Sequence, residues 1–302
     1  MEPFKINLSV SLLGYEEELE RNKDSLEKAV CYNDLFRIAE NCDYLHIDII
    51  RDDFVKGINR FISPLYLSIY NLLKEKSKFE FHFMVNSALP HISYMNFKID
   101  REKRDDIRII LPIESNREPD KSLEVISSKD NDLFDVAEKI SYLPLKKRII
   151  KLDSDAKEKV LENLIFIKQC GYRTGISIEP STNLNGISSK LFENVDCILF
   201  MGVASGKSGQ TYRKDISEKI KSFSENASNC NIAVDGGVKL DLISELIRSG
   251  ADSLVIGSYI INSKDIESTI LGIKKEFNKT VDEILTKPEC ANKRIAYLTN
   301  FS

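Results

Sequence analysis

The segment Tyr44-Leu45-His46-Ile47-Asp48-Ile49-Ile50 is a short apolar run that carries a histidine and an aspartate two positions apart. Such a run predicts a β-strand, on which side chains two apart point to the same face, so His46 and Asp48 project together. A second apolar run, Phe81-His82-Phe83-Met84-Val85, carries another of the chain's three histidines. Two imidazoles and a carboxylate on two strands are the beginning of a metal site.

The best candidate for a fourth ligand is Asp235, which ends the apolar run Asn231-Ile232-Ala233-Val234. Each residue also has an ordinary alternative. A histidine on an apolar strand is more often a hydrogen-bonded core residue, Asp48 could be satisfied by backbone donors, and Asp235 could belong to a turn. Placed at the same end of one barrel, the four residues favour a metal site.

Bulk composition fits an ordinary globular protein. Of the 302 residues, 42% are hydrophobic and 30% charged, and the net charge of −4 gives no sign of a nucleic-acid or membrane surface. No apolar stretch approaches the roughly 20 residues needed to cross a bilayer. The six cysteines form no CxxC pair and the first residues lack a signal-peptide core, so we expect reduced thiols and a cytoplasmic location.

Short apolar strands alternate with amphipathic helical stretches, which is the pattern of βα units and a parallel sheet. Eight strands over residues 1–277 predict a single (β/α)8 TIM barrel. Residues 92–131 are expected to form an insertion after the third strand, with His91 in a loop at its start, and residues 278–302 a C-terminal extension. The predicted strands are Ile6–Leu12, Tyr44–Ile50, Phe79–Val85, Arg148–Leu152, Thr174–Pro180, Val195–Met201, Asn231–Val234 and Ser253–Ile256.

With these strands in order, the chain resembles the ribulose-phosphate 3-epimerase family from Ile6 to about Ile261. The resemblance rests on motifs at the ends of the predicted strands, and their combination in the right order is more specific than any one of them. They are His46-Ile47-Asp48, His82-Phe83-Met84, the glycine-rich run 201–210, Val234-Asp235-Gly236-Gly237 and Val255-Ile256-Gly257-Ser258.

The resemblance implies a metal-dependent epimerase that inverts C3 of a ketose phosphate of the ribulose 5-phosphate/xylulose 5-phosphate type. His46, Asp48, His82 and Asp235 would hold one divalent metal, and Asp48 and Asp235 would also be the acid/base pair. Epimerisation beside a ketone removes a proton from one face and returns one to the other, which two carboxylates can do. The metal, Zn, Fe(II), Mn or Co, would stabilise the enediolate as a Lewis acid.

A phosphorylated substrate is expected from three glycine-containing turns that converge on one rim. Glycines let backbone N–H groups approach an anion closely, although each turn alone would more simply be a tight βα connection. The resemblance adds a serine and two methionines at the substrate. The substrate-binding candidates are Ser11, Met84, Met201, Gly206, Ser208, Gly209, Gly236, Gly237, Gly257 and Ser258.

Two departures from the family pattern leave the substrate open. Ile50-Arg51-Asp52-Asp53 stands where the family has a methionine and an Asp-Gly pair, and Ala204-Ser205-Gly206-Lys207-Ser208-Gly209 replaces Asn-Pro-Gly-Phe-Gly-Gly. The expected insertion would alter the pocket or build an oligomer interface. Together with the insertion, the two departures suggest a different or larger substrate. A hexulose phosphate or a nucleotide-linked or capsule precursor is the alternative to ribulose 5-phosphate.

Two further functions are disfavoured. A related decarboxylase would carry an Asp-x-Lys-x-x-Asp pattern between the second and third strands, and no lysine partners Asp48 in that way. A non-catalytic phosphosugar-binding protein would be expected to have a broken metal set, whereas this set is intact. Such barrels commonly form homo-oligomers, but no stretch of this chain specifies a symmetry.

Overall fold

Eight parallel strands form a closed barrel in which each strand pairs with its neighbours in chain order and β1 pairs with β8. This is a computed structural model, and it describes residues 5–62, 64–115, 156–184, 187, 189–206, 209–225 and 230–287. The predicted (β/α)8 barrel is confirmed. The strands are β1 (Asn7–Ser11), β2 (Tyr44–Ile50), β3 (Lys78–Met84), β4 (Ile107–Pro112), β5 (Arg173–Ile178), β6 (Cys197–Met201), β7 (Asn231–Asp235) and β8 (Ser253–Val255).

Helices connect the strands and cover the outside of the barrel. Short 3-10 helices lie at Leu13–Tyr15, Leu26–Lys28, Arg101–Asp106 and Leu240–Leu242. The α-helices are α1 (Glu16–Arg21), α2 (Tyr32–Asn41), α3 (Leu65–Leu73), α4 (Leu89–Lys98), α5 (Ala156–Gln169), α6 (Ser189–Glu193), α7 (Asp215–Ser224), α8 (Ile243–Ser249), α9 (Ser258–Ile261) and α10 (Ile266–Thr286). Among the described residues, no helix has both the length and the apolar character that a membrane crossing requires. The cytoplasmic location stays a prediction.

The period of two along each strand divides the barrel into an outer and an inner set of side chains. On β2, where all seven residues are buried, Leu45, Ile47 and Ile49 join the main core between strands and helices. His46 and Asp48 therefore face the barrel interior. A separate apolar cluster fills part of that interior, formed by Ile110, Cys197, Leu199, Met201, Ala233 and Val255.

The position of the expected insertion is wrong. Strand β4 lies within residues 92–131, where it pairs with β3 on one side and β5 on the other, and α4 lies just before it. The charged run 101–106, which suggested an insertion, is an exposed 3-10 turn that leads into a fully buried strand. The barrel position predicted for Arg148–Leu152 is thus taken by β4, and Arg148–Leu152 lies outside the described residues.

The long connection follows β4 instead of β3. Residues 113–155 separate β4 from α5, and 116–155 lie outside the described part of the chain. At the other end, α10 continues to Thr286, beyond the boundary expected at residue 277. The predicted C-terminal extension stays a prediction, because residues 288–302 are also outside the described part.

An aromatic cluster on β3 and α3 gives a test of the outer core. Phe81 is fully buried, and its ring centroid lies 5.6 Å from that of Tyr66 and 5.7 Å from that of Phe79. We expect Phe81→Ala to lower the free energy of unfolding by about 3–5 kcal/mol, since it removes buried apolar area and leaves a cavity. Urea unfolding followed by circular dichroism measures this change.

The matched control is Phe97→Ala on α4, because the Phe97 side chain is 81% exposed. An exposed substitution should change stability by no more than about 0.5 kcal/mol. Equal losses from the two substitutions would contradict the assignment of Phe81 to the core.

Candidate metal centre and pocket

The four predicted ligands come together at the carboxyl ends of the strands. Asp48 of β2 lies opposite His82 of β3, His46 lies one inward-facing position below Asp48, and Asp235 ends β7. One ligand atom from each of the four lies within 4.8 Å of the others. Both histidines are fully buried and Asp48 is 3% exposed, so the cluster is built into the barrel interior.

Asp48 is the centre of this cluster. Its Oδ1 lies 3.2 Å from His46 Nε2 and 3.1 Å from His82 Nδ1, and its Oδ2 accepts a hydrogen bond of 3.1 Å from Ser11 Oγ. Both imidazoles thus direct one nitrogen towards the same carboxylate oxygen. Ser11, which the family resemblance placed at the substrate, lies at the end of β1 beside this carboxylate.

The opposite nitrogens of the two rings have partners that the sequence reasoning missed. Glu80 Oε2 lies 3.0 Å from His46 Nδ1, and Arg108 of β4 forms a buried ion pair with Glu80. Ser177 Oγ of β5 lies 2.8 Å from His82 Nε2. Glu80 could have been found, because it is charged within an apolar strand and stands two residues before His82.

Burial and charge set the protonation of the two carboxylates in opposite directions. Burial alone would raise the pKa of Asp48, but the adjacent His46 and His82 hold it well below the usual range. Burial and the Asp48 carboxylate raise the pKa of Asp235 from 3.8 to about 7. The cluster therefore holds one ionised and one readily protonated carboxyl group near neutral pH.

His46 and Glu80 form a second pair of opposed shifts. Burial would lower the pKa of His46, but the neighbouring Asp48 and Glu80 carboxylates raise it well above its ordinary value. Burial would raise the pKa of Glu80, but its contacts with His46 and Arg108 lower it to about 2. Negative charge is thus concentrated around the ring nitrogens, which is favourable for a bound cation.

The chemistry of this donor set fits a divalent metal. Mixed imidazole and carboxylate ligands suit Zn, Fe(II), Mn or Co and do not choose among them. Histidines that bind metals usually hydrogen-bond through the other ring nitrogen, as His46 does to Glu80 and His82 to Ser177. The residues present could hold one such ion.

The third histidine, His91, lies outside this cluster. It was expected in a loop, but it is a buried residue of α4 whose ring centroid lies 5.2 Å from that of Phe83. Burial lowers the pKa of His91 to about 3, and the nearby positive charge of Arg51 contributes to the same shift. His91 is therefore a neutral residue packed against the outer face of β3.

A pocket opens directly above the cluster, and Asp48 and Asp235 form part of its wall. His46 and His82 lie beneath it. Ser208 lies outside the described residues, while each of the other substrate-binding candidates lines the pocket. These are Ser11, Met84, Met201, Gly206, Gly209, Gly236, Gly237, Gly257 and Ser258.

The turn after β7 requires glycine. Gly236 and Gly237 have φ angles of 103° and 72°, in the left-handed region that favours this residue. A Cβ on Gly237 would lie 2.6 Å from the backbone nitrogen of Tyr212, so the connections that follow β6 and β7 approach each other closely here. The rim of the pocket is consequently bare backbone, which allows N–H groups to meet an anion.

The connection after β6 carries a second feature missed in the sequence. Ser205, which lines the pocket, donates its backbone N–H to Glu179 Oε2 at 3.4 Å, and its hydroxyl contacts Glu179 Oε1. Gln210, also in the wall, donates to the carbonyl oxygen of Ala204 at 2.7 Å. The Ser205 contacts tie the altered glycine-rich run to the end of β5, and the Gln210 contact closes the run on itself.

The fold and cluster define a class: a (β/α)8 barrel protein with a buried His/Asp centre beneath a pocket rimmed by glycines. Over residues 136–261 the chain matches the sequence model of the ribulose-phosphate 3-epimerase family. The resemblance predicted from the sequence is confirmed over these residues. The match contains Asp235 and the glycine turns, whereas His46, Asp48 and His82 precede it and are brought to Asp235 by the fold.

Curated relatives agree with the family match. The chain is 36% identical over 115 residues to ribulose-phosphate 3-epimerase of Aquifex aeolicus (strain VF5), which covers 37% of this chain and 51% of the relative. It is 31% identical over 139 residues to ribulose-phosphate 3-epimerase of Escherichia coli (strain K12), covering 45% and 61%. The similarity thus spans only about half to three fifths of these relatives.

One solved structure supports the fold alone. The chain superposes on 3-hexulose-6-phosphate synthase from Salmonella typhimurium with a TM-score of 0.52, covering 91% of this chain and 100% of that one. Sequence identity in this comparison is 11%.

The raised pKa of Asp235 predicts how stability depends on pH. Because its folded pKa of about 7 exceeds the ordinary 3.8, the folded state binds more protons than the unfolded state between about pH 4 and pH 7. This group therefore destabilises the metal-free protein as the pH rises through that window. In chelator-treated protein, we expect Asp235→Asn to raise the melting temperature at pH 8 and to have a smaller effect at pH 5.

Asp241→Asn removes the same charge from an exposed position and should show no such difference between the two pH values. Thermal unfolding at both pH values measures the effect. A variant Asp235→Asn that melts below the unmodified protein at pH 8 without metal would contradict the prediction.

Proposed function

We propose that the protein is a metal-dependent epimerase that inverts C3 of a ketose phosphate, with D-ribulose 5-phosphate and D-xylulose 5-phosphate as the substrate pair. The observation that carries this proposal is the convergence of two carboxyl groups, Asp48 from β2 and Asp235 from β7, in the wall of one pocket. The similarity to curated ribulose-phosphate 3-epimerases supports the same reaction.

The two carboxyl groups suit proton transfer at one carbon. The ionised group takes the C3 proton from one face of the substrate, and the protonated group delivers a proton to the other face. In the metal-free protein the pKa of Asp48 is lowered and that of Asp235 is raised to about 7, so the two carboxyl groups already differ in their affinity for protons. The two roles exchange for the reverse reaction.

His46, Asp48, His82 and Asp235 would hold one divalent metal ion. When bound, the ion supplies a Lewis acid that stabilises the negative charge developing on the substrate oxygens. Ser11 donates to Asp48 Oδ2 and so restrains the orientation of this carboxylate beside the substrate.

The phosphate group would bind at the glycine rim. Gly236, Gly237 and Gly257 lie in the pocket wall, and Ser258 follows at the start of α9. Backbone N–H groups at such positions bind phosphate in many barrels of this kind. Binding of the phosphate at the rim would thereby fix how far C3 of the substrate lies from the rim.

A larger sugar phosphate is the second candidate. The long connection 113–155 begins at the carboxyl end of β4, the end of the barrel where substrates bind, and Glu179 ties down the altered run after β6. These features favour a modified pocket and hence a hexulose phosphate or a nucleotide-linked sugar. Assembly into a homo-oligomer stays a prediction.

The test is an NMR assay in D₂O with D-ribulose 5-phosphate and protein loaded with Zn, Fe(II), Mn or Co. We expect deuterium at C3 and accumulation of xylulose 5-phosphate. Asp48→Asn and Asp235→Asn should each lower the rate by about 10²- to 10⁴-fold, since each removes one proton-transferring group.

Asp241→Asn is the control and should keep the full rate, because Asp241 is exposed and lies outside the pocket. Robust exchange by either site variant would refute the two-carboxylate mechanism. Failure of the unmodified protein with every metal would refute ribulose 5-phosphate as substrate and direct the same assay to larger phosphosugars.

A further inference from the structure

We propose that Ser177 and the Glu80–Arg108 pair are positioning residues that select opposite tautomers of the two histidines. They make Nε2 of His46 and Nδ1 of His82 the unprotonated, metal-binding nitrogens. This inference rests on the proposed metal-dependent function. It adds an explanation of how the rings of His46 and His82, which differ in orientation, both direct a lone pair at the metal site.

The His46 side follows from the chemistry of its partner. An ionised carboxylate can only accept hydrogen bonds, so His46 Nδ1, which lies 3.0 Å from Glu80 Oε2, must carry the proton. A metal-bound imidazole is neutral and keeps one N–H. Because Glu80 holds that proton on Nδ1, the nitrogen left for the ion is Nε2, which faces Asp48 Oδ1 at 3.2 Å in the metal-free protein. Glu80 is 1% exposed, so water does not replace it in this contact.

Arg108 fixes Glu80 in the ionised and correctly oriented state. Its guanidinium forms an ion pair with Glu80 Oε1, leaving Oε2 for His46. Arg108 in turn lies over the ring of Tyr44, with Cζ 4.7 Å from the ring centroid. Arg108 is itself buried, with 5% of its surface exposed.

The His82 side is built with a different chemical group. Ser177 Oγ lies 2.8 Å from His82 Nε2, and Nδ1 faces Asp48 Oδ1 at 3.1 Å. A hydroxyl accepts as well as donates. With a metal bound, Nε2–H donates to Ser177 and Nδ1 is free to coordinate.

The first test compares Ser177→Ala with Ser253→Ala. Both serines are buried on strands of the barrel, but the Ser253 hydroxyl makes no hydrogen bond to any residue that the structure describes. Affinity for Co²⁺ is measured by competition with a chelator, and the coordination geometry by the visible absorption spectrum. Loss of such an outer partner should weaken metal binding about 10- to 100-fold.

We expect this loss and an altered Co²⁺ spectrum for Ser177→Ala, native behaviour for Ser253→Ala, and at least partial recovery in Ser177→Thr, which keeps the hydroxyl. Circular dichroism of the metal-free proteins verifies that all three fold. Unchanged affinity and spectrum in folded Ser177→Ala would overturn the role of Ser177.

The second test addresses the Glu80–Arg108 pair. The double variant Glu80→Gln/Arg108→Gln leaves no single buried charge without a partner, and the amide at position 80 can offer His46 either an acceptor or a donor. The His46 tautomer is then no longer fixed, so we expect a similar 10- to 100-fold loss of Co²⁺ affinity. Native affinity and spectrum in the folded double variant would overturn the role of this pair.

One further comparison separates failure of this inference from failure of the proposed function. Asp48→Asn removes a proposed ligand, so it should bind Co²⁺ far more weakly than the unmodified protein. If the two bind equally, the metal is not held at this cluster, and both the proposed function and the inference fall. If only Asp48→Asn loses affinity, the metal site is supported, and the positioning roles of Ser177 and the Glu80–Arg108 pair are refuted.

Discussion

The structure depends on the burial of charge at the mouth of the barrel. An isolated carboxylate or imidazolium in such a place is strongly disfavoured, so each must be paired or change its protonation. Asp48 remains ionised because two imidazoles and Ser11 surround it, whereas Asp235, which faces Asp48, is pushed towards its neutral form. Two imidazoles and two carboxyl groups held this close together are the donor set that the proposed divalent cation and the proposed proton transfer would use.

The barrel interior is divided accordingly. TIM barrels usually fill their interior with layers of branched aliphatic side chains. Here the β6 to β8 side follows that pattern, with Leu199, Met201 and Val255 in one apolar cluster. The β2 to β5 side instead carries a chain of polar contacts that starts at Arg108 and runs through Glu80 to His46. Apolar packing on the β6 to β8 side and ion pairing on the β2 to β5 side together restrain His46 and His82.

The sequence predicted the cluster because its signals are local. A His-x-Asp pair on an apolar strand fixes two ligands on one face, and the order of the strands brings the others to the same end. Strand β4 was missed because the charged run 101–106 disguised its start. Ser177 carries no sequence signal at all: it is an ordinary strand serine whose meaning comes from its contact with His82, which lies 95 positions away along the chain.

The site is formed by two parts of the chain, and only one of them matches the family model. Asp235 and the glycine turns fall within the region that matches the epimerase family, whereas His46, Asp48 and His82 do not. The proposed proton transfer to both faces of one carbon would use a carboxyl group from each part. The closed strand pairing, β1 with β8 and β4 with β5, holds the two parts in one rigid barrel. Sequence similarity in one part and geometry in the other are therefore separate lines of support for the proposed chemistry.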